Sequence, residues 1–281
     1  MTLGDDVILS VLGPYRKEKG MKLGLCLEMV FTQEPFEERL KRAARLGFKY
    51  VEMWFTDVTY KGTPERLAEL AAQNGVTITN TVIGSPDGSL GGGLTDPSRR
   101  DEWLARTRAT LDFNLRAGIP ATIVCTGNVV PGLSAAQMRR SVLEGLKRTV
   151  ELAEKAGVTL LLESLNTPYD HPGYWLTSSD QGAELCRKIG SERLKLLYDC
   201  YHMQIMEGDL LHHIKRNLDV IGHMHAAGVP GRHELYNGEV DYRFLTSQLD
   251  ALGYQGVLGL EYAPSIEDEL SLKKTLEYLG R

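Results

Sequence analysis

The chain has 281 residues, a net charge of −5 and a pI near 5.9. This length allows one large domain or two smaller ones and is enough to bury a full core. The acidic balance argues against a nucleic-acid partner, which needs a basic face, and no apolar run reaches the length of a membrane span.

The first residues, MTLGDDVILSVLGPYRKEKG, carry acids where a secretory leader carries basic residues, and their apolar run is short. They read as an extension at 1–20 ahead of a domain at 21–281, with Met21 an alternative start. LGLCLE (23–28) predicts the first strand, and Phe36, Leu40 and Ala43 stripe a helix over 34–46. Strands follow at 49–54 and 76–83. The glycine-rich stretch 84–100 reads as a flexible loop over the strand ends, a candidate lid. Further strands are expected at 121–126, 158–163, 194–199, 219–225 and 256–261. Val142, Leu146, Val150 and Ala153 mark a helix over 141–156, and the last helix spans 266–279. Gly47, Gly75, Gly118, Gly157, Gly190 and Gly253 each precede a strand, where a left-handed residue ends the helix before it.

Strands alternating with helices predict an α/β fold, a single-domain (β/α)8 TIM barrel. An open doubly wound sheet is the competing topology, but the first strand runs into EMVFTQEPF, which has no G-x-G-x-x-G loop. The four cysteines, Cys26, Cys125, Cys186 and Cys200, show no C-x-x-C spacing and are expected as reduced thiols in a cytoplasmic protein.

Such barrels gather their chemistry at the C-terminal ends of the strands. Strand five ends at Glu163, strand six at Asp199, strand seven at His225 and strand eight at Glu261. One acid at a strand end is usually a helix cap or a solvated loop residue, and one strand histidine is usually a bonded core residue. Four ionisable residues on consecutive strands at one end of the barrel point instead to a ligand set for a divalent cation, Mn2+ or Mg2+. Zinc prefers more nitrogen and sulfur. His223 and His225 share a face of the strand, and His225, nearer its end, is the expected ligand. His223 is then structural or orients its neighbour. His171 is as readily a loop filler as a substrate contact, and His212 and His213 read as surface residues.

The motifs LLLESLNTPYDHPGYWL, LYDCYHMQIMEGDL and GHMHAAGVPGRHELYNGEVDY, with the opening FTQEPFEERLKRAARLGFKYVE, resemble the hydroxypyruvate isomerases of the xylose-isomerase-like barrel group. The resemblance covers essentially all of 21–281. It implies that Glu163, Asp199 and Glu261 are metal-binding acids and that Glu163 and Glu261 also move the proton. It implies that His202 and Arg232 bind substrate. Glu28 falls where the group often lines its pocket. One departure stands out: hydroxypyruvate isomerases commonly carry glutamine where this chain has His225, and histidine there is usual in the group's ketose 3-epimerases. Those epimerases have a substrate-binding glutamate six residues after the strand-five acid, where this chain has Tyr169 followed by Asp170.

The expected activity is metal-dependent isomerisation of an α-hydroxy carbonyl compound through an enediolate, with hydroxypyruvate converted to tartronate semialdehyde. No nucleotide cofactor, nucleic acid or membrane is expected. A homo-oligomer fits the habit of such barrels, which are often dimers or tetramers. A ketose 3-epimerase acting on a free sugar and a non-catalytic sugar-binding barrel are the alternatives. A DNA phosphodiesterase on the same architecture would need more metal ligands and a basic groove.

Overall fold

The computed structural model describes residues 21–280, so the expected extension at 1–20 lies outside the described residues. Strands covered on both faces must be apolar throughout, and the short runs of the sequence supply this. They form β1 (Lys22–Cys26), β2 (Tyr50–Glu52), β3 (Thr77–Ile78), β4 (Asn80–Ile83) and β5 (Ala121–Val124). β6 (Thr159–Glu163), β7 (Leu194–Asp199), β8 (Ile221–Ala226) and β9 (Val257–Leu260) follow. The helices are α1 (Phe36–Arg45), α2 (Pro64–Gln73), α3 (Arg100–Ala117), α4 (Ala135–Ala156) and α5 (Ser179–Ile189). After them come α6 (Cys200–Met206), α7 (Leu210–Asn217), α8 (Tyr242–Ala251) and α9 (Asp268–Leu279).

The strands pair in the order β3-β2-β1-β9-β8-β7-β6-β5-β4, and every pairing is parallel. β3 and β4 are two halves of one strand broken at Thr79. The first half pairs with β2 and the second with β5, which closes the ring as the expected TIM barrel. Across this seam the Met53 N–H donates to the Asn80 carbonyl at 3.3 Å, and the Val82 N–H to the Trp54 carbonyl at 2.9 Å.

Helix ends follow local chemistry. The pattern alone suggests that α4 begins near 141, yet it begins at Ala135, because Ser134 and Gln137 close a capping box. Gly118, Gly157 and Gly190 cap α3, α4 and α5 in the left-handed conformation. The loop 84–100, expected to be flexible, is tied down in its second half. The Thr95 N–H donates to the Thr126 carbonyl at 3.0 Å, and Arg100 donates to the Ser141 carbonyl at 2.6 Å. All four cysteines are buried free thiols. Among the described residues no helix is long and apolar enough to cross a membrane.

Replacing Ser134 by alanine removes the side-chain half of the capping box, the hydroxyl that accepts from the Gln137 N–H, and leaves the backbone N–H of residue 134 bonded to Gln137. The expected cost is about 1 kcal/mol, read as a drop of roughly 2–4 °C in melting temperature with the site unaffected.

Candidate active site

The site begins with a charged residue in an apolar strand. Glu52 ends β2 and is 1% exposed. Its two carboxylate oxygens accept from two imidazoles of β8: Oε1 from His223 Nε2 at 2.9 Å and Oε2 from His225 Nε2 at 2.8 Å. β1 and β9 lie between these strands, so the Glu52 side chain must cross them. It crosses where Gly24 and Gly259 are paired in register. A Cβ on Gly259 would lie 2.1 Å from Glu52 Oε1, and one on Gly24 would lie 3.3 Å from it. The two glycines therefore open the passage by which Glu52 reaches β8.

With Nε2 donating to Glu52, the other nitrogen of His225 faces the mouth of the barrel. This Nδ1 is buried and has no hydrogen-bond partner among the described residues. It lies 3.1 Å from Glu261 Oε2, 3.6 Å from Glu163 Oε1 and 3.8 Å from Asp199 Oδ2. One donor atom from each of the four residues falls within 4.8 Å of the others, a set that could hold a metal ion. The strand ends expected to converge do so. A carboxylate that fixes a histidine through one nitrogen and frees the other for a cation is a recurrent arrangement in metal sites. His223 bonds the other oxygen of the same carboxylate.

Each acid is held differently. Asp199 caps α6: its Oδ1 accepts from the N–H groups of Tyr201 (2.7 Å) and His202 (3.1 Å), while Oδ2 faces the cluster. Glu261 accepts from Trp54 Nε1 at 3.2 Å and from Arg232 at 2.5 Å. The Glu163 carboxylate accepts no hydrogen bond among the described residues. Burial pushes Asp199 up to about 7 and raises Glu163 above the usual carboxylate range. Glu261 is as buried, yet the positive charges of His225 and Arg232 hold it well below that range. Burial opposes a charge on His225 as well, but Glu261 and Glu52 overcome this and raise its pKa strongly. Without a cation, the cluster thus holds protons that a cation would displace.

Beside the cluster lies a cavity of about 80 Å³, lined by Trp54, Cys125, Glu163, His171, His202 and Arg232 among others. Both residues expected to bind substrate reach it. His202 is fully buried, and burial and Arg232 keep its imidazole neutral. Arg232 has its guanidinium 5.2 Å from the centre of the Tyr201 ring and is engaged with Glu261. His171 proves to be a wall of the cavity, with its ring 5.3 Å from that of His202. Glu28 stands behind it, accepting from the Trp54 N–H at 3.0 Å. Glu52, Trp54 and Asn166, which bonds His202, are the site residues that sequence reasoning missed. A lone carboxylate in the run KYVEMW was the available signal for Glu52. A further acid–imidazole group, Asp180, Glu207 and His213, lies apart from these residues. Glu207 accepts from Ser178 and Ser179 at the start of α5, and His213 bonds Arg216.

A closed parallel barrel with carboxylates and a histidine gathered at the C-terminal ends of its strands has the layout of an enzyme, and the curated relatives of the chain make it an isomerase. The chain belongs to the xylose isomerase-like TIM barrel family, which it matches over residues 40–281. It is 34% identical to the 2-oxo-tetronate isomerase of Cupriavidus necator, over 91% of this chain and 97% of that one. It is 31% identical to the hydroxypyruvate isomerase of Escherichia coli, over 88% of this chain and 95% of that one. The crystal structure of "AP endonuclease, family 2" from Brucella melitensis superposes with a TM-score of 0.83 at 27% identity, covering 92% of this chain and 99% of that one.

Gly259→Ala should close the passage for Glu52. Calorimetry should show a loss of about 1–3 kcal/mol from overpacking, and Mn2+ titration an affinity lower by about 10–100-fold. Cation binding should also depend on pH. Raised pKa values mean that Glu163, Asp199 and His225 lose protons when a cation enters, so affinity rises with pH, most steeply for Asp199 near 7. Titration calorimetry at pH 6 and pH 8, in buffers of different ionisation enthalpy, should show tighter binding at the higher pH and net proton release.

Proposed function

We propose that the protein isomerises a short 2-oxo acid bearing a 3-hydroxyl group, with hydroxypyruvate to tartronate semialdehyde as the parent reaction. Mn2+ or Mg2+ would be held by Glu163, Asp199, His225 and Glu261. The observation that carries this reading is the convergence of three carboxylates on the free nitrogen of His225, beside a cavity of about 80 Å³ that Arg232 helps to line. A cavity this small suits a chain of three or four carbons. The names of the two relatives, both isomerases of such acids, support the same class.

The difficult step is removal of a proton from carbon beside a carbonyl. A bound divalent cation supplies Lewis-acid polarisation of the substrate's oxygens. The chain's own residues handle the proton. Glu163, buried and with a carboxylate that accepts no hydrogen bond among the described residues, is the stronger base of the pair and is assigned the proton on C3. Glu261, kept ionised by His225 and Arg232 before substrate enters, is assigned the proton on C2: it would take the proton of the O3 hydroxyl and deliver it to C2, while Glu163 returns the C3 proton to O2, so both carboxylates end the turnover as they began. One hydrogen has left C3 and one has joined C2, one has left O3 and one has joined O2, so the reaction is redox-neutral overall. Arg232 would hold the substrate carboxylate through paired hydrogen bonds.

A second reading rests on His225 and on the shape of the entrance. The inner cavity adjoins an outer space of about 420 Å³ lined by Ser85, Asp87, Ser89, Asn128 and Asp170. Those groups suit the hydroxylated tail of a ketose, which a 3-epimerase would need to accept.

Deuterium exchange from D2O, run with Mn2+ on hydroxypyruvate, tagatose, fructose and ribulose, separates the two readings. Glu163→Gln and Glu261→Gln should each lower the exchange rate by about 10²–10⁴-fold while leaving the fold intact. Near-normal rates in both variants would reject the assignment.

A further inference from the structure

His202 is fixed by a residue that reaches it twice. Asn166, three residues beyond β6, is fully buried. Its Oδ1 accepts from the backbone N–H groups of Tyr169 (3.2 Å) and Asp170 (3.1 Å). That pair of donors settles which end of the amide is oxygen. The NH2 end must then face the other way, where it meets Asp170 Oδ2 at 2.6 Å and His202 Nδ1 at 2.7 Å. The backbone N–H of Asn166 also points at His202 Nδ1, at 3.2 Å. Asp170 is itself held from the other side by the Tyr201 hydroxyl, which donates to the same Oδ2 at 2.8 Å.

Two N–H groups therefore converge on one ring nitrogen. A nitrogen that receives donors must present its lone pair, so the proton of the neutral ring sits on Nε2. A proton on Nδ1 would instead confront both donors in a site closed to water. Nε2 is buried and has no hydrogen-bond partner among the described residues. It lies 3.6 Å from Asp199 Oδ2, and the ring lines the cavity beside Glu163 and Arg232. His202 thus differs from His225, whose Nε2 is engaged by Glu52 and whose Nδ1 is turned to the acids. The two buried imidazoles are fixed with opposite nitrogens toward the site.

We infer that Asn166 is a positioning residue that holds His202 as its Nε2–H tautomer, so that His202 offers a hydrogen-bond donor to the substrate oxygen on which negative charge grows. In this role His202 does not carry a proton between carbons, and a preorganised donor of this kind acts because it is aimed before the charge appears. The part concerning substrate rests on the isomerase reading above; the tautomer does not.

The test has two arms. In ¹⁵N-labelled protein with Mg2+ added, long-range ¹H–¹⁵N correlation, assigned with His202→Gln, should show a protonated Nε2 and a bare Nδ1 on His202. A proton on Nδ1, or on both nitrogens, overturns the inference. Asn166→Ala should shift the Nδ1 resonance, because one of its two donors is gone; an unmoved resonance removes Asn166 from the positioning role. In the second arm, exchange on hydroxypyruvate should fall about 10²–10³-fold in kcat for His202→Leu. His202→Gln, which keeps an N–H at similar reach, should recover at least tenfold of that loss. Equal losses in both variants overturn the donor role. Absence of exchange in the wild-type protein on hydroxypyruvate and ketoses alike would instead count against the isomerase reading, with the tautomer still decided by the first arm.

Discussion

The hydrogen bond from His225 to Glu52 is the constraint on which the rest of the site depends. An imidazole can turn either nitrogen toward the mouth of the barrel, and the bond to Glu52 turns Nδ1 toward Glu163, Asp199 and Glu261. Glu52 makes that choice from another strand, 173 positions away in sequence. It reaches β8 because two paired positions on the intervening strands carry no side chain. The barrel supplies more than a rim on which to mount residues. Its packed interior holds the group that orients one of them.

The same interior makes the acids unequal. All three are buried, and burial alone would favour the protonated form of each. Local partners then separate them. Glu261 has a guanidinium, an indole N–H and an imidazole beside it, Asp199 has two backbone N–H groups on one oxygen, and Glu163 has no hydrogen bond among the described residues. Similar carboxylates at equivalent strand ends thus acquire different proton affinities, a difference the proposed proton transfer would use.

Much of this was legible in the sequence. The alternation of short apolar and amphipathic segments gave the barrel, and the rule that its chemistry lies at the strand ends picked out Glu163, Asp199, His225 and Glu261. Those four are readable because each stands at a boundary that periodicity marks. Glu52, Trp54 and Asn166 are not, for a physical reason: each acts through a contact whose partner is far along the chain or around a turn. Glu52 looks like an interruption of an apolar run until β8 is placed opposite it. Asn166 looks like an ordinary turn residue in NTPYD until His202 folds against it. The early start of α4 and the anchoring of loop 84–100 were missed for the related reason that single polar contacts, with Ser134, Thr95 and Arg100, decided them.

Asp199 ends one element and begins the next. One of its oxygens closes the first turn of α6, and that turn carries His202; the other looks into the cluster. The proposed cation ligand and the proposed substrate-facing imidazole are therefore mechanically joined through a single carboxyl group. Any event that draws this carboxyl inward also pulls on the helix start, so the two halves of the pocket cannot adjust independently. A descendant of this enzyme that exchanged Asp199 for another ligand would have to rebuild the base of α6 in the same step, which makes the position a point of evolutionary rigidity within an otherwise permissive scaffold.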